Sequence, residues 1–157
     1  YNIVMVERKV HIGYSKLLVK HSHGELFNTN GSQRRSIPNH KELVETVKNI
    51  YPDKSLINIS TEYLSVFYQY HLFNTCDILI AQHGASLAHI AYMKPGSIVI
   101  EIIYKELIDT GENWFMPLAK ACRIKHYQYI TNGPHEVIDL KRFELFIKDK
   151  LSISSKH

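Results

Sequence analysis

The stretch DILIAQHGASLAHIAYMKPGSIVIE, residues 77–101, decides the fold of this chain. Its apolar runs ILIA and IVI are short and continuous, as expected of parallel strands that are covered on both faces. Between them, HGAS marks the end of one strand and the start of a helix, and Pro95-Gly96 marks the turn into the next strand. The stretch therefore predicts a strand–helix–strand unit, the building block of a doubly wound α/β sheet.

The HGAS turn has the properties of an anion site. Helix N-termini present free backbone N–H groups and a partial positive charge. Gly84 allows a phosphate to approach the backbone closely, although a plain turn glycine would give the same sequence. His83 could hydrogen-bond a phosphate or a sugar hydroxyl, or else cap the helix or satisfy a buried carbonyl.

The rest of the chain repeats the alternation of strand and helix. We predict strands at residues 3–7, 56–59, 78–81, 98–102 and 124–130, and helices at 39–50, 63–74, 87–93, 114–121 and 140–151. Residues 9–35 form a long loop that could carry a hairpin, and residues 106–113 form a shorter loop. This pattern predicts one Rossmann-like α/β domain at residues 1–151, with a mostly parallel sheet covered by helices on both faces, followed by a tail at 152–157.

Two helices carry more specific predictions. Asn39 followed by Glu42 is a capping-box pattern at the start of the helix 39–50. The helix 63–74 is rich in aromatic residues, and such a stripe more often packs in a core than binds a ligand. We therefore expect its aromatic side chains to be buried.

Composition limits the classes of function. The chain has 157 residues, is 45% hydrophobic, and contains no apolar run near the roughly 18–20 residues that cross a membrane. Its net charge of +4 and pI near 9.0 come from scattered basic residues without the interleaved aromatics of nucleic-acid binders. A phosphate-bearing ligand or an acidic partner fits this surface equally well. Cys76 and Cys122 are too few for a disulfide scaffold and have no zinc spacing, which indicates buried free thiols.

Polar residues end several predicted strands. Arg8, Thr61 and His83 follow the first three strands, and Glu101 lies late in the fourth. Because ligands of parallel sheets bind outside the carboxyl ends of the strands, we expect these residues to converge at one edge. A buried carboxylate such as Glu101 is costly unless paired, so it could accept hydrogen bonds from ribose hydroxyls or pair with a neighbouring Arg or Lys.

Three arginines, Arg8, Arg34 and Arg35, could supply the bidentate guanidinium that phosphate geometry suits. Other phosphate and metal motifs are missing from the sequence: it has no Walker lysine loop, no complete GxGxxG and no DxD. Ser86 and His89 are three residues apart, but no acid is placed to orient them as a hydrolytic triad.

The segment HGASLAHIAYMKPGSIVIEI, residues 83–102, resembles the HGAGLTNLLFMPPGSVVIEI-like signature of glycosyltransferase family 61. Further segments are similar to the family pattern: VERK at 6–9, RSIPNHKELV at 35–44, Gln69 before the third strand, and NWFMPLAKACRIKHYQY at 113–129. Three departures stand out: Ser86 replaces a second glycine, Glu7 replaces a serine, and the insertion 9–33 is long.

The resemblance implies a GT-B architecture, in which two Rossmann-like domains enclose the active site, with this chain as the C-terminal half that binds the sugar donor. It implies inverting transfer from a UDP-sugar to a hydroxyl of a glycan or glycoprotein, with no metal or other cofactor and with the general base in the missing N-terminal domain. The implied donor-binding residues are Arg8, Arg35, His83, Gly84, Ala85, Ser86 and Glu101, with Arg34, Thr61 and Gln69 as further candidates.

The resemblance leaves the compartment and the activity open. A eukaryotic member would work in the Golgi or ER lumen and a bacterial or viral one in the cytoplasm, and the sequence carries no address that decides between them. The alternative to an active enzyme is a non-catalytic nucleotide-binding module of the same fold. A basic nucleic-acid-binding domain would explain the pI but not the arrangement of HGAS and Glu101.

Overall fold

The computed structural model of the chain describes residues 2–8, 19–20, 26–27 and 35–151. Arg34, most of the insertion 9–33 and the tail 152–157 therefore lie outside the described residues. The strands are β1 (Asn2–Val6), β2 (Val19–Lys20), β3 (Leu26–Phe27), β4 (Ser55–Ile59), β5 (Ile78–Gln82), β6 (Ile98–Tyr104) and β7 (Lys125–Thr131). The α-helices are α1 (His40–Ile50), α2 (Val66–Asn74), α3 (Lys105–Asp109), α4 (Phe115–Ala121) and α5 (Leu140–Lys150), and 3-10 helices span Thr61–Tyr63 and Ala85–Tyr92.

The main sheet of the described chain has five strands in the order β4-β1-β5-β6-β7, and every neighbouring pair is parallel. The predicted Rossmann-like α/β fold is therefore confirmed. From β1 the chain builds first on one side, to β4, and then on the other, to β5. This reversal opens a crevice outside the carboxyl ends of β1 and β5, where ligands of doubly wound sheets bind. The short β2 and β3 pair antiparallel within the predicted long loop, in agreement with a hairpin there.

Helices cover both faces of the sheet, because successive residues of each strand point to opposite sides. On one face α1 and α5 pack on the sheet through buried apolar residues that include Leu43, Val47, Phe143 and Ile147. On the other face, three helices pack on the sheet: α2, the helix Ala85–Tyr92 and α4. Their buried residues include Phe73, Leu87, Ile90 and Ala119. All five residues of β5 are buried, as its continuous apolar run predicts.

The predicted capping box at Asn39 is wrong, because the Asn39 side chain makes no capping hydrogen bond. Its Nδ2 donates to the Ile138 carbonyl and its Oδ1 accepts from the Ile138 N–H, both at 2.9 Å. The side chain therefore ties the start of α1 to the segment that precedes α5. A tertiary partner with both a donor and an acceptor has replaced the local one.

The prediction that the aromatic residues of the helix 63–74 are buried is also wrong. Phe73 is fully buried, but Phe67 is 88% exposed and Tyr68 and Tyr70 are about half exposed. α2 begins after Ser65, whose side chain accepts a hydrogen bond from the Tyr68 N–H. Only one face of the helix packs on the sheet, through Leu72 and Phe73, and Phe67 points about 120° away from Phe73 because successive helical residues are rotated by about 100°.

Smaller differences have local causes. Part of the predicted loop 106–113 folds as α3, which buries Leu107. Cys76 is buried and free, and burial raises its pKa to about 12, whereas the free Cys122 is half-buried. None of the helices in the described part of the chain is long and apolar enough to span a membrane.

Candidate functional site

A cavity of about 300 Å³ opens at the carboxyl ends of β1, β4 and β5, beside the point where the strand order reverses. We call it the arginine cavity. Its lining residues belong to the segments that follow those three strands, to the start of the segment before α1, and to the helix after β5: Glu7, Arg8, Arg35, Ser60, Thr61, Glu62, Gly84, Ala85, Ser86 and His89. The convergence expected at this edge of the sheet is thus present for most of the predicted residues.

Sequence reasoning singled out six of these lining residues for sugar-donor binding, namely Arg8, Arg35, Thr61, Gly84, Ala85 and Ser86. It did not assign the other four, Glu7, Ser60, Glu62 and His89, to sugar-donor binding. Ser60 and Glu62 flank Thr61 after β4, so the same strand-end rule could have found them. His89 lies three residues beyond Ser86 on the same helix, a spacing that puts both side chains on one face, so this signal was present in the sequence.

Gly84 and Arg8 fit each other closely. Arg8 Nη2 donates a hydrogen bond of 2.9 Å to the His83 carbonyl, so the guanidinium lies across the turn. Gly84 has φ of +147°, and a Cβ built on it would overlap the Arg8 guanidinium. Glycine is therefore required here both for the backbone conformation and for the approach of a cationic side chain. In the structure, the group that approaches the turn backbone is Arg8 itself.

Arg35 presents unsatisfied hydrogen-bond donors at the same cavity. Its Nε and Nη1 are buried, and no described residue accepts from them. Ser60 Oγ is likewise buried without a partner among the described residues. A buried donor that lacks an acceptor costs about 1–3 kcal/mol, and more when it is charged. An anionic ligand that came within hydrogen-bond distance of these atoms would remove that cost.

The helix Ala85–Tyr92 adds backbone donors to the cavity. Its first helical hydrogen bond runs from the Leu87 N–H to the Gly84 carbonyl at 2.9 Å, so the N–H groups of Ala85 and Ser86 precede the helical ladder. Two carboxylates, Glu7 and Glu62, also line the cavity and oppose part of the positive charge of the arginines. The cavity can bind a compact anion through the arginines, the backbone N–H groups and the hydroxyl groups of its lining serine and threonine side chains.

Gln69 does not line the cavity but joins two of its walls. Its Nε2 donates to the carbonyls of Leu64 at 2.8 Å and Thr61 at 3.2 Å. Its Oε1 lies 2.5 Å from Nε2 of His89 on the opposite wall. Direct contact of Gln69 with a sugar donor, which the resemblance implies, stays a prediction.

Glu101 is the centre of a second polar cluster, which lies on the middle of β6 and β7, next to the carboxyl end of β5. Only 1% of the residue is exposed. Its Oε1 lies 2.5 Å from His83 Nδ1, and its Oε2 accepts from Gln128 Nε2 at 3.0 Å. His126 Nε2 lies 3.0 Å from the same Oε2, too misaligned for a regular hydrogen bond. Gln128 donates further to Asn113 Oδ1 at 2.8 Å. We call these five residues the Glu101 network.

The network keeps the Glu101 carboxylate ionised. Burial alone would raise its pKa, but the close polar contacts with His126, His83 and Gln128 outweigh burial and lower the pKa from 4.5 to about 2. The expected alternatives were ribose hydroxyls or an Arg or Lys partner. The structure instead places two histidine rings and an amide on the carboxylate, so a ribose contact would require one of them to move.

Strand register explains why His83 faces the network. Ala81 pairs with Glu101, and Glu101 pairs with Gln128, so these positions lie side by side on one face of the sheet. His83 is two residues beyond Ala81 and continues the same face. Its ring also packs edge-on against Phe115 at 5.3 Å between centroids. His83 thus contributes its carbonyl to Arg8 and its side chain to Glu101, and it does not line the arginine cavity.

The remaining predictions about the site are left open by the structure. Arg34 lies outside the described residues. Within the described part of the chain, no group of three or more His, Cys, Asp or Glu side chains is arranged to hold a metal ion. The prediction of a metal-free reaction depends on a biochemical test.

Comparison with known proteins gives two matches. The family model of Glycosyltransferase 61 matches residues 7–100, which include every residue that lines the arginine cavity. The chain is also 34% identical over 135 residues to Xylan glycosyltransferase MUCI21 of Arabidopsis thaliana. That alignment covers 83% of this chain and 26% of the relative, so this chain spans about a quarter of the length of the curated protein it matches.

Proposed function

Because the chain belongs to glycosyltransferase family 61, we propose that its arginine cavity binds the diphosphate of a UDP-sugar. The observation that carries the proposal is Arg35, whose Nε and Nη1 are buried at the cavity without an acceptor among the described residues. A phosphate group accepts two parallel hydrogen bonds from a guanidinium, and such bidentate pairs are the strong ones. The N–H groups of Ala85 and Ser86 and the Ser60 hydroxyl are donors for the remaining phosphate oxygens.

The size of the cavity supports a partial site. Ligand pockets usually measure about 300–1,000 Å³, and this one is at the lower limit of that range. It has room for the diphosphate and part of the attached groups. We propose that this chain is the sugar-donor-binding half of a GT-B enzyme, so that a second domain encloses the rest of the ligand.

The chemical role of the cavity follows from where charge develops. In an inverting transfer, an acceptor hydroxyl attacks the anomeric carbon from the side opposite to UDP, and the bond from that carbon to the β-phosphate oxygen breaks. Negative charge then grows on the diphosphate. In this proposal Arg8 and Arg35, which line the cavity, stabilise that charge, and fixed positive groups of this kind usually contribute more to catalysis than any other single effect. The general base that takes the proton from the hydroxyl lies, in this proposal, outside this chain.

The acceptor that we propose is a glycan, or a glycan-bearing protein. The support is the name of the Arabidopsis relative, which is a xylan glycosyltransferase. Because the relative is much longer than this chain, the transferred sugar and the acceptor both require assay of the full-length parent protein. A non-catalytic nucleotide-binding module remains the second candidate, and the carboxylates Glu7 and Glu62 in the cavity favour it to the extent that they weaken the arginines.

The binding proposal is tested by calorimetry with UDP and with uridine, which lacks the diphosphate. We expect UDP to bind with a dissociation constant on the order of 0.1–1 mM and to bind equally well in EDTA. Arg35→Gln should weaken the binding of UDP about 10- to 100-fold, since a hydrogen bond to a charged group contributes about 1.5–3 kcal/mol. The same substitution should change the binding of uridine little.

Arg123→Gln is the matched control, because Arg123 is exposed between α4 and β7 and carries the same charge. Equal loss of UDP affinity in both variants would mean that only net charge matters, and it would remove the assigned site. An absolute requirement for Mg²⁺ or Mn²⁺ would overturn the metal-free proposal. Sugar transfer by the parent protein separates the enzyme from the non-catalytic module.

A further inference from the structure

His89 lines the arginine cavity, and both nitrogens of its ring face a hydrogen-bonding partner. It lies on the helix Ala85–Tyr92 and stacks on Phe73 with ring centroids 4.3 Å apart. Its Nε2 lies 2.5 Å from Gln69 Oε1, and its Nδ1 lies 2.7 Å from the Ser86 carbonyl oxygen. Each ring nitrogen therefore faces an oxygen.

The orientation of the Gln69 amide is fixed by its other contacts. One end of the amide faces two backbone carbonyls, those of Leu64 and Thr61, at 2.8 and 3.2 Å. Carbonyls only accept hydrogen bonds, so this end must be the NH₂ group and the other end, toward His89, must be the oxygen.

The histidine ring is constrained in the same way. An amide oxygen and a carbonyl oxygen are acceptors, so both nitrogens of His89 must donate. A neutral imidazole has one N–H and one lone pair, and only the imidazolium has two N–H groups. A neutral ring would set a nitrogen lone pair against an oxygen lone pair at hydrogen-bonding distance.

We propose that Gln69 and the Ser86 carbonyl hold His89 as an imidazolium, and that His89 acts with Arg8 and Arg35 as a third cation for the diphosphate of the sugar donor. This inference rests on the proposed function of the cavity. Gln69 is a positioning residue in this arrangement, because it acts through His89 and through the Thr61–Leu64 wall that it binds. Affinity for the diphosphate then depends on pH and falls as His89 loses its proton.

The surroundings of His89 define what modulates this charge. From α2 it meets Gln69 and Phe73, and on its own helix it meets the Ser86 carbonyl and the Tyr92 ring, none of which is charged at neutral pH. The charged groups that share the cavity wall with it are Arg8, Arg35, Glu7 and Glu62. The arginines oppose protonation and the carboxylates favour it. A bound diphosphate adds negative charge, so ligand binding and proton binding must strengthen each other.

The protonation state is measured without any ligand. In ¹⁵N-histidine-labelled protein near neutral pH, we expect both ring nitrogens of His89 to show N–H-type chemical shifts, with the signal assigned by its loss in His89→Gln. Gln69→Leu, which removes the acceptor, should convert one nitrogen to the lone-pair type. A lone-pair nitrogen on His89 in the unchanged protein would overturn the inference.

The role in binding is measured with a UDP-sugar, because its diphosphate lacks the free terminal phosphate that titrates near pH 6. We expect affinity to fall about five- to tenfold between pH 6 and pH 9, as one nearby positive charge is lost. The His89→Gln variant should bind the UDP-sugar weakly and with an affinity nearly independent of pH. Gln69→Leu should flatten the dependence of affinity on pH. His71→Gln, at an exposed histidine on α2, should retain the full slope.

The outcomes distinguish failure of the His89 role from failure of the proposed function. A pH-independent affinity in the unchanged protein, with UDP-sugar bound, overturns the role of His89 and leaves the proposed function standing. Absence of UDP-sugar binding at every pH overturns the proposed function and with it the ligand role of His89, whatever the ¹⁵N shifts show. Equal flattening of the profile in His71→Gln would assign the pH dependence elsewhere and would also overturn the inference.

Discussion

The arginine cavity and the Glu101 network lie on either side of the end of β5, and they treat charge in opposite ways. In the network, the buried Glu101 carboxylate has a hydrogen-bond partner on each oxygen, and only the ring nitrogens of His126 lack one among the described residues. In the cavity, the buried Nε and Nη1 of Arg35 and the hydroxyl of Ser60 have no described acceptor. A buried carboxylate whose oxygens are both paired stabilises the fold, whereas buried donors without an acceptor destabilise it until a ligand binds. The difference indicates which of the two regions was shaped for binding.

The largest effect that we predict comes from Glu101→Gln. The substitution turns one accepting oxygen into an NH₂ group that faces the donors of His83 or Gln128, so the free energy of unfolding should fall by about 2–4 kcal/mol. Chemical denaturation measures this loss. Glu144→Gln, at the exposed surface of α5, is the control and should change stability by less than about 0.5 kcal/mol. A stable Glu101→Gln variant with weak UDP binding would instead support the ribose contact and break the comparison.

Acid should act on the same network. The pKa of Glu101 is lowered from 4.5, its ordinary value and that of the unfolded chain, to about 2 in the fold. The stability that its ionised form contributes is therefore fully present above pH 4.5. It is lost as pH falls from about 4.5 to about 2, by about 3 kcal/mol in total, since one pKa unit corresponds to about 1.4 kcal/mol. Denaturation curves between pH 2 and 6 would show this. A Glu101→Gln variant with the same steepness in that range would assign the loss to other carboxylates.

Gly84→Ala should act mainly on the cavity. The added Cβ overlaps the Arg8 guanidinium and imposes an unfavourable φ, so we expect a loss of about 1–2 kcal/mol in stability and at least tenfold in UDP affinity. Gly111→Ala is the matched control, because Gly111 also has positive φ, at +81°, but open space around its Cα. If both variants lost UDP affinity equally, backbone strain and not Arg8 would be the cause.

Ser60→Ala should have the smallest effect on the fold, and it should change stability and UDP affinity in different directions. It removes a buried hydroxyl that has no described partner, so stability should stay the same or rise by up to about 1 kcal/mol. UDP affinity should fall a few-fold, because a neutral hydrogen bond contributes about 1 kcal/mol. Thermal melting with and without UDP measures both. A destabilised variant would show that Ser60 is satisfied in the native protein and would weaken the contrast between the two regions.

The parallel sheet, and the group of polar residues at the carboxyl ends of its strands, could be predicted from the sequence. Continuous apolar runs and the residues that follow them are local properties of the chain. The same reasoning placed Arg8, Thr61 and Gly84 at one site. It could not give the direction of the His83 and Glu101 side chains, which depends on the register of β5, β6 and β7. It also overestimated the burial of the aromatic residues of α2, because only one face of that helix packs on the sheet and Phe67 lies off that face.

The bridge between Asn39 and Ile138 has a consequence for protein engineering. It joins residues 99 positions apart, and α1 and α5 pack beside it on one face of the sheet. The match to the family model ends at residue 100, before β7 and α5. A fragment cut at the end of that match would leave the apolar side of α1 open to water and Asn39 without its partner. Truncations meant to isolate the sugar-donor site should therefore retain the chain through Leu151, whose side chain is buried in the same core.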